Sequence, residues 1–242
     1  MPFDFINYKQ YKIDYESLFN EFNSYKILND KYLQEYYIKT WLNYLIRADN
    51  TILNETKNKI DILRISSLLI DEPEIFQQPL YYKDNNILIH FRISVLNSLI
   101  SEEIKQKFSI VIKRDEFTNK KSDIYWTKVN LDEKNYKFVD EPVILVPFLM
   151  GNKDSLIIDG THRITYSIKN NKDINILPLS QTHLVENNLF SSGFDKLFYI
   201  MNNELNYMLK ETMINNIDAR ELIKKSYLVD GKIKIENNIK RL

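Results

Sequence analysis

The stretch Asp154–Leu179 constrains the fold of this chain more than any other. Leu156-Ile157-Ile158 is an apolar run bounded by polar residues, the pattern of a buried strand. Asp159-Gly160 is a turn pair. Thr161 opens a segment with Ile164 and Ile168 four residues apart on one helical face. Lys172-Asp173 breaks that segment, and Ile174–Leu179 reads as a second short strand. The order is strand, glycine turn, helix, strand. Thr161, His162 and Arg163 set a hydroxyl, an imidazole and a guanidinium in a row on the turn.

Such a turn has a use. The first amides of a helix lack intrahelical partners, and the macrodipole makes that end positive. An anion such as phosphate is held there readily. Gly160 has no Cβ, so it takes a positive φ and lets a ligand approach the backbone. Arg163 is suited to gripping phosphate oxygens and His162 to donating or shuttling a proton. The same residues also suit an ordinary Asp-Gly turn in which Thr161 only caps the helix.

Composition narrows the function classes. The chain has 242 residues and is 44% hydrophobic, enough for a sizeable core. Lys and Arg number 33 and Asp and Glu number 33, which argues against wrapping nucleic acid by bulk charge alone. No cysteine is present, so disulfide frameworks and thiolate metal sites are excluded. His90, His162 and His183 lie far apart in sequence, so no histidine metal cluster is expected. The N-terminus lacks a signal pattern and no run reaches membrane-spanning length, so a cytoplasmic protein without membrane contact is the expectation.

Residues 1–75 read as helical. Ile13, Leu18, Phe19 and Phe22 mark one short helix, and Lys31–Arg47 a longer one with Leu33, Tyr37, Trp41, Tyr44 and Leu45 inward. Tyr36-Tyr37 and Trp41 resemble a base-stacking platform, but their helical spacing suits core packing better. A third helix is expected over Asn54–Ile70, with Ile60, Leu63, Leu68 and Leu69 inward and Asp71-Glu72-Pro73-Glu74 ending it.

Residues 76–183 read as the α/β core. Leu80–Tyr82 and Ile87–Phe91 around Asp84-Asn85-Asn86 suggest a hairpin, with His90 a structural strand residue. Ser101 suits a helix cap. Phe108–Ile112 and Ile124–Val129 read as strands with Asn119–Ser122 as the turn between them, and Gln181-Thr182-His183 as the end of the last strand. In residues 184–242, Phe194–Leu209 and Asp218–Lys225 read as helices and Leu228–Ile233 as a hairpin turning at Asp230-Gly231. No repeat or linker stands out. The fold class expected is α+β: a small mixed sheet holding the strand–turn–helix–strand core, flanked by an N-terminal helical region and C-terminal helices.

Asp159-Gly160-Thr161-His162-Arg163 resembles the D-G-x-H-R signature of the ParB/sulfiredoxin-like superfamily. Pro142–Val146 is similar to the strand that precedes the motif in that family, Gly151–Asp154 sits where members turn back, and Ile174–Leu179 matches the strand after the helix. The resemblance spans residues 140–181. It implies ATP or CTP bound with Mg2+ through Gly160, Thr161, His162 and Arg163, and NTP hydrolysis or phosphoryl transfer to a small-molecule acceptor. Asp159, His162, Glu116 and Glu141 are the candidate catalytic or magnesium-binding groups, chosen from acids that include Asp115, Asp132, Glu133 and Asp140. Asp159 is also suited to capping the helix or bracing Arg163. Sulfiredoxins carry a cysteine before the His-Arg pair; Thr161 stands there, which rules out thiol-based sulfinic reduction. Partition proteins follow the motif domain with a helix-turn-helix, and none is evident after Gln181. Two other classes stay open. One is a DNA-associated protein of the partition, nuclease or DNA-modification type; the other is a non-catalytic binding module.

Overall fold

The computed structural model describes residues 2–56, 58, 60–62, 74–131 and 140–235. In chain order the helices are α1 (Tyr15–Ser24), α2 (Lys31–Glu55), α3 (Ile93–Leu99), α4 (Glu102–Phe108), α5 (Arg114–Thr118), α6 (Thr161–Lys169), α7 (Gln181–Glu186), α8 (Gly193–Asn215), α9 (Ala219–Lys224) and α10 (Tyr227–Asp230). The strands are β1 (Phe3–Asp4), β2 (Lys9–Gln10), β3 (Ile75–Tyr82), β4 (Asn85–Arg92), β5 (Ile110–Ile112), β6 (Ile124–Tyr125), β7 (Val143–Met150), β8 (Lys153–Asp159) and β9 (Ile174–Pro178). The class is mixed α+β, as expected. The described residues within 1–94 and 188–235 form one compact unit, and those within 95–187 form another. The sequence divides into three regions, whereas contacts join the two flanks into one body.

In the first unit, α2 and α8 are the long helices. Asp30 starts α2 by accepting from the Leu33 amide, and Ser192 starts α8 through the Asp195 amide. Tyr37, Ile38, Trp41, Leu42 and Leu45 of α2 are buried, as are Phe198, Tyr199, Met201, Leu205 and Met208 of α8. Burying each such side chain contributes about 1.5–3 kcal/mol. Helix α2 runs past the expected Arg47 end, and Tyr44 is 45% exposed rather than inward. The expected third helix falls mostly outside the described residues. Its first two residues end α2, and Ile60 is 77% exposed. Strands β3 and β4 pair antiparallel from Ile75↔Arg92 to Tyr82↔Asn85, turning at Lys83-Asp84, so the hairpin is longer than expected. The expected Leu228–Ile233 hairpin is instead the last turn of α10. Gly231 is left-handed there and sends its amide to the Tyr227 carbonyl. An Asp-Gly pair serves a helix C-terminus as well as a hairpin, because both need a positive φ.

The second unit carries a five-stranded sheet in the order β5-β9-β7-β8-β6. Strand β9 runs parallel to β7 and antiparallel to β5, and β8 runs antiparallel to β7 and parallel to β6. Val143, Leu145, Ile157, Ile174 and Ile176 line one face and pack with Ile164 of α6 and Phe117 of α5. Ile144, Val146, Leu156, Ile158 and Leu177 are buried as well. Strands buried on both faces read as continuous apolar runs, which is why β7 and β8 were legible.

Four further expectations are corrected here. Phe108 ends α4 rather than opening a strand, and β6 stops at Tyr125. A helix, α5, stands between them, with the Asn119–Ser122 turn after it. Gln181-Thr182-His183 begins α7, because Ser180 caps it through the His183 amide.

Candidate functional site

The site expected from sequence lies where β8 passes into α6. Gly160 adopts φ 94°, ψ 18° and is the N-cap of α6, whose first intrahelical bond runs from the Ile164 amide to the Gly160 carbonyl at 3.0 Å. Glycine brings no side chain to cap with, and no side-chain cap bond forms. The register of β7 and β8 slips at this corner: Leu145 pairs with Ile157 but Ile144 pairs with Asp159, so Ile158 is an extra residue in β8. Such a bulge bends a strand and re-aims the residue after it, here Asp159.

Arg163 folds back over the turn. Its Nη2 donates to Asp159 Oδ2 at 2.8 Å, and the two side chains are 15% and 19% exposed. The guanidinium lies against the Cα of Gly160. A Cβ built there would meet Arg163 Nη2 and Val143 Cγ2 at 2.8 Å and Arg163 Nε at 2.9 Å. Arg163 Nε is buried with no hydrogen-bond partner. Asp159 therefore braces the arginine that the sequence assigns to phosphate. His162 is exposed and Thr161 half-buried on the first turn.

Of the other candidate acids, Glu141 stands two residues before Val143, a reach of about 7 Å along an extended chain, and the Val143 side chain packs against Gly160. Lys105 Nζ donates to Glu141 Oε2 at 2.6 Å and to Glu102 Oε1 at 2.7 Å. Those bonds, Glu102 first and Glu141 second, hold the Lys105 ammonium above its ordinary range. Lys105 was not singled out from sequence. It lies 36 residues from Glu141, and nothing local marks so distant a pair. Glu116 sits half-buried on α5, whose start is tied to the residues after α6 rather than to the turn before it: the Arg114 amide donates to Asp173 Oδ1 at 3.1 Å. Its neighbour Asp115 pairs with Arg114 at 3.0 Å. Asp132 and Glu133 lie outside the described residues.

Comparison with protein-family models, with curated proteins and with solved structures finds no match.

Among the described residues, no three His, Cys, Asp or Glu side chains gather as a metal-holding group. No helix among them is long and apolar enough to cross a membrane. His90 is fully buried in the first unit. Its Nδ1 lies 3.1 Å from Asp195 Oδ1 and its Nε2 3.0 Å from Gln77 Nε2, which suits a structural role.

Proposed function

We propose that the second unit is a nucleotide-binding module of the ParB/sulfiredoxin-like kind, taking the phosphates of ATP or CTP at the 159–163 turn. The observation that carries this reading is the left-handed Gly160 cap. It leaves the first turn of α6 without a side-chain cap and sets the Arg163 guanidinium beside it. Phosphate oxygens would accept from the first-turn amides. Asp159 occupies one arm of the Arg163 fork, so an arriving phosphate shares or displaces that carboxylate. Mg2+ takes one or two carboxylates together with phosphate oxygens, and Asp159 is the acid carried by the turn itself. The exposed His162 would carry a proton to or from an acceptor, and Glu141, held by Lys105, is a further candidate base. Hydrolysis or phosphoryl transfer to a small molecule is the reaction class this set serves.

The non-catalytic reading is favoured by one observation: Asp159 and Glu141 are each committed to a cation, Arg163 and Lys105. A thermal-shift titration with ATP, CTP, ADP and GTP in magnesium separates binding from its absence. At a hundred times Kd a ligand adds about 2.7 kcal/mol of stability. A flat response across all four removes the site; a shift without phosphate release leaves a binding module.

Arg163→Lys keeps a cation for Asp159 but loses the fork. Nucleotide affinity should fall about tenfold or more, with the ligand-free melting point little changed. His162→Ala should lower turnover more than affinity; equal losses would assign His162 to binding.

A further inference from the structure

The outer face of α2 serves neither the core nor the nucleotide reading. Trp41 and Tyr37, the aromatic residues noted in sequence, are 0% and 3% exposed and belong to the core. Their neighbours are turned the other way: Tyr32 is 78% exposed, Tyr36 66% and Tyr44 45%. At 100° per residue, Tyr32, Tyr36, Lys39 and Arg47 fall within one sector of about 80°, with Tyr44 about 60° beyond it. Lys39 and Arg47 are exposed on this face. The acid among them is Glu35, whose Oε2 lies 4.0 Å from Lys39 Nζ. Arg47 lies over the Tyr44 ring at 5.9 Å, and Lys39 over the Phe19 ring at 5.1 Å.

We propose that this face binds single-stranded nucleic acid. Large rings standing in water cost solvation, and two side by side on one face, with Tyr44 at its edge, form a patch. Two cations against one acid leave it locally positive, although the whole chain is neutral. Aromatic rings alternating with cations match the ligand that offers flat faces at regular steps along an anionic backbone. The strand is single because a duplex hides its base faces in its own stack. From Tyr32 to Arg47 the stripe runs about 22 Å along the helix axis, room for several stacked bases. The surface belongs to the first unit, so it stands or falls apart from the nucleotide site.

Fluorescence anisotropy of a labelled oligothymidylate of about 15 nucleotides, titrated with the full chain, tests the proposal. Saturable binding is expected, with a slope of log K against log salt of about −1.4, since two cations each displace about 0.7 counterion from a single strand. Tyr36→Ala and Tyr32→Ala should each weaken binding about five- to tenfold, and Tyr36→Phe should restore it. Circular dichroism melts confirm that the variants fold, as exposed positions allow. Absence of binding at low salt overturns the proposal. So does equal affinity for the duplex, or affinity indifferent to both alanine variants. Self-association abolished by Tyr36→Ala, without oligonucleotide binding, assigns the face to a second copy of the chain and overturns it too.

Discussion

At the scale of the residue, Gly160 is the position where chemistry leaves no choice. Its φ of 94° is strained for any L side chain, and the space a Cβ needs is taken by Arg163 and Val143. Gly160→Ala should therefore destabilise the second unit by about 1–3 kcal/mol and abolish any nucleotide-induced thermal shift. Calorimetry with and without nucleotide reads both effects. Glu204 is the telling titratable residue. It is 1% exposed, and burial raises its pKa against the opposing bonds from Tyr37, the Tyr227 amide and Ser226. A carboxyl that binds its proton more tightly when folded stabilises the fold fully below its unfolded pKa. That contribution is lost as pH rises through the folded value. Glu204→Gln has no proton to lose. The melting point of the native chain, taken relative to Glu204→Gln, should fall as pH rises from acid toward neutrality. A constant difference would place Glu204 outside the titrating groups.

At the scale of the element, caps decided where helices begin. Asp14, Asp30, Ser101, Ser180, Ser192, Asp218 and Ser226 each accept a first-turn amide, and α5 and α6, capped by Lys113 and Gly160, depart from that pattern. Ser101 and the apolar runs of β7, β8 and β9 were legible because their signals are local. Helix α7 was missed because it follows a strand directly and its first turn, Gln181-Thr182-His183, was read as that strand's end. Helix α5 was missed because five residues carry too little periodicity to read. Asp195 ties α8 to β4. It accepts the His90 amide at 3.2 Å, His90 Nδ1 at 3.1 Å and the Ser192 hydroxyl at 2.6 Å. Asp195→Ala would leave those buried donors unmet, and about 2–4 kcal/mol should be lost. Urea unfolding followed by circular dichroism measures it. A loss under half a kilocalorie, within the range of ordinary surface substitutions, would show that water or a rearranged His90 replaces the carboxylate.

At the scale of the whole molecule, the first unit is assembled from two distant segments of chain. Tyr227 stacks on Trp41 with ring centroids 6.3 Å apart, and Tyr37 donates to Glu204 at 2.6 Å across 167 positions. A chain ending at Asn187 lacks α8, α9 and α10. Its Trp41 should become solvated and its emission shift to the red, where a self-sufficient N-terminal region would keep it blue. The sequence alone determined the strand–turn–helix–strand order around Gly160, the α+β class and the amphipathic course of α1, α2 and α8. Apolar period, turn glycines and caps act over a few residues and are written where they act. Only the tertiary structure decided that the flanks share a body and that Lys105 meets Glu141. Those are pairings between groups that the chain brings together only by folding, and no local rule of spacing encodes a distant partner.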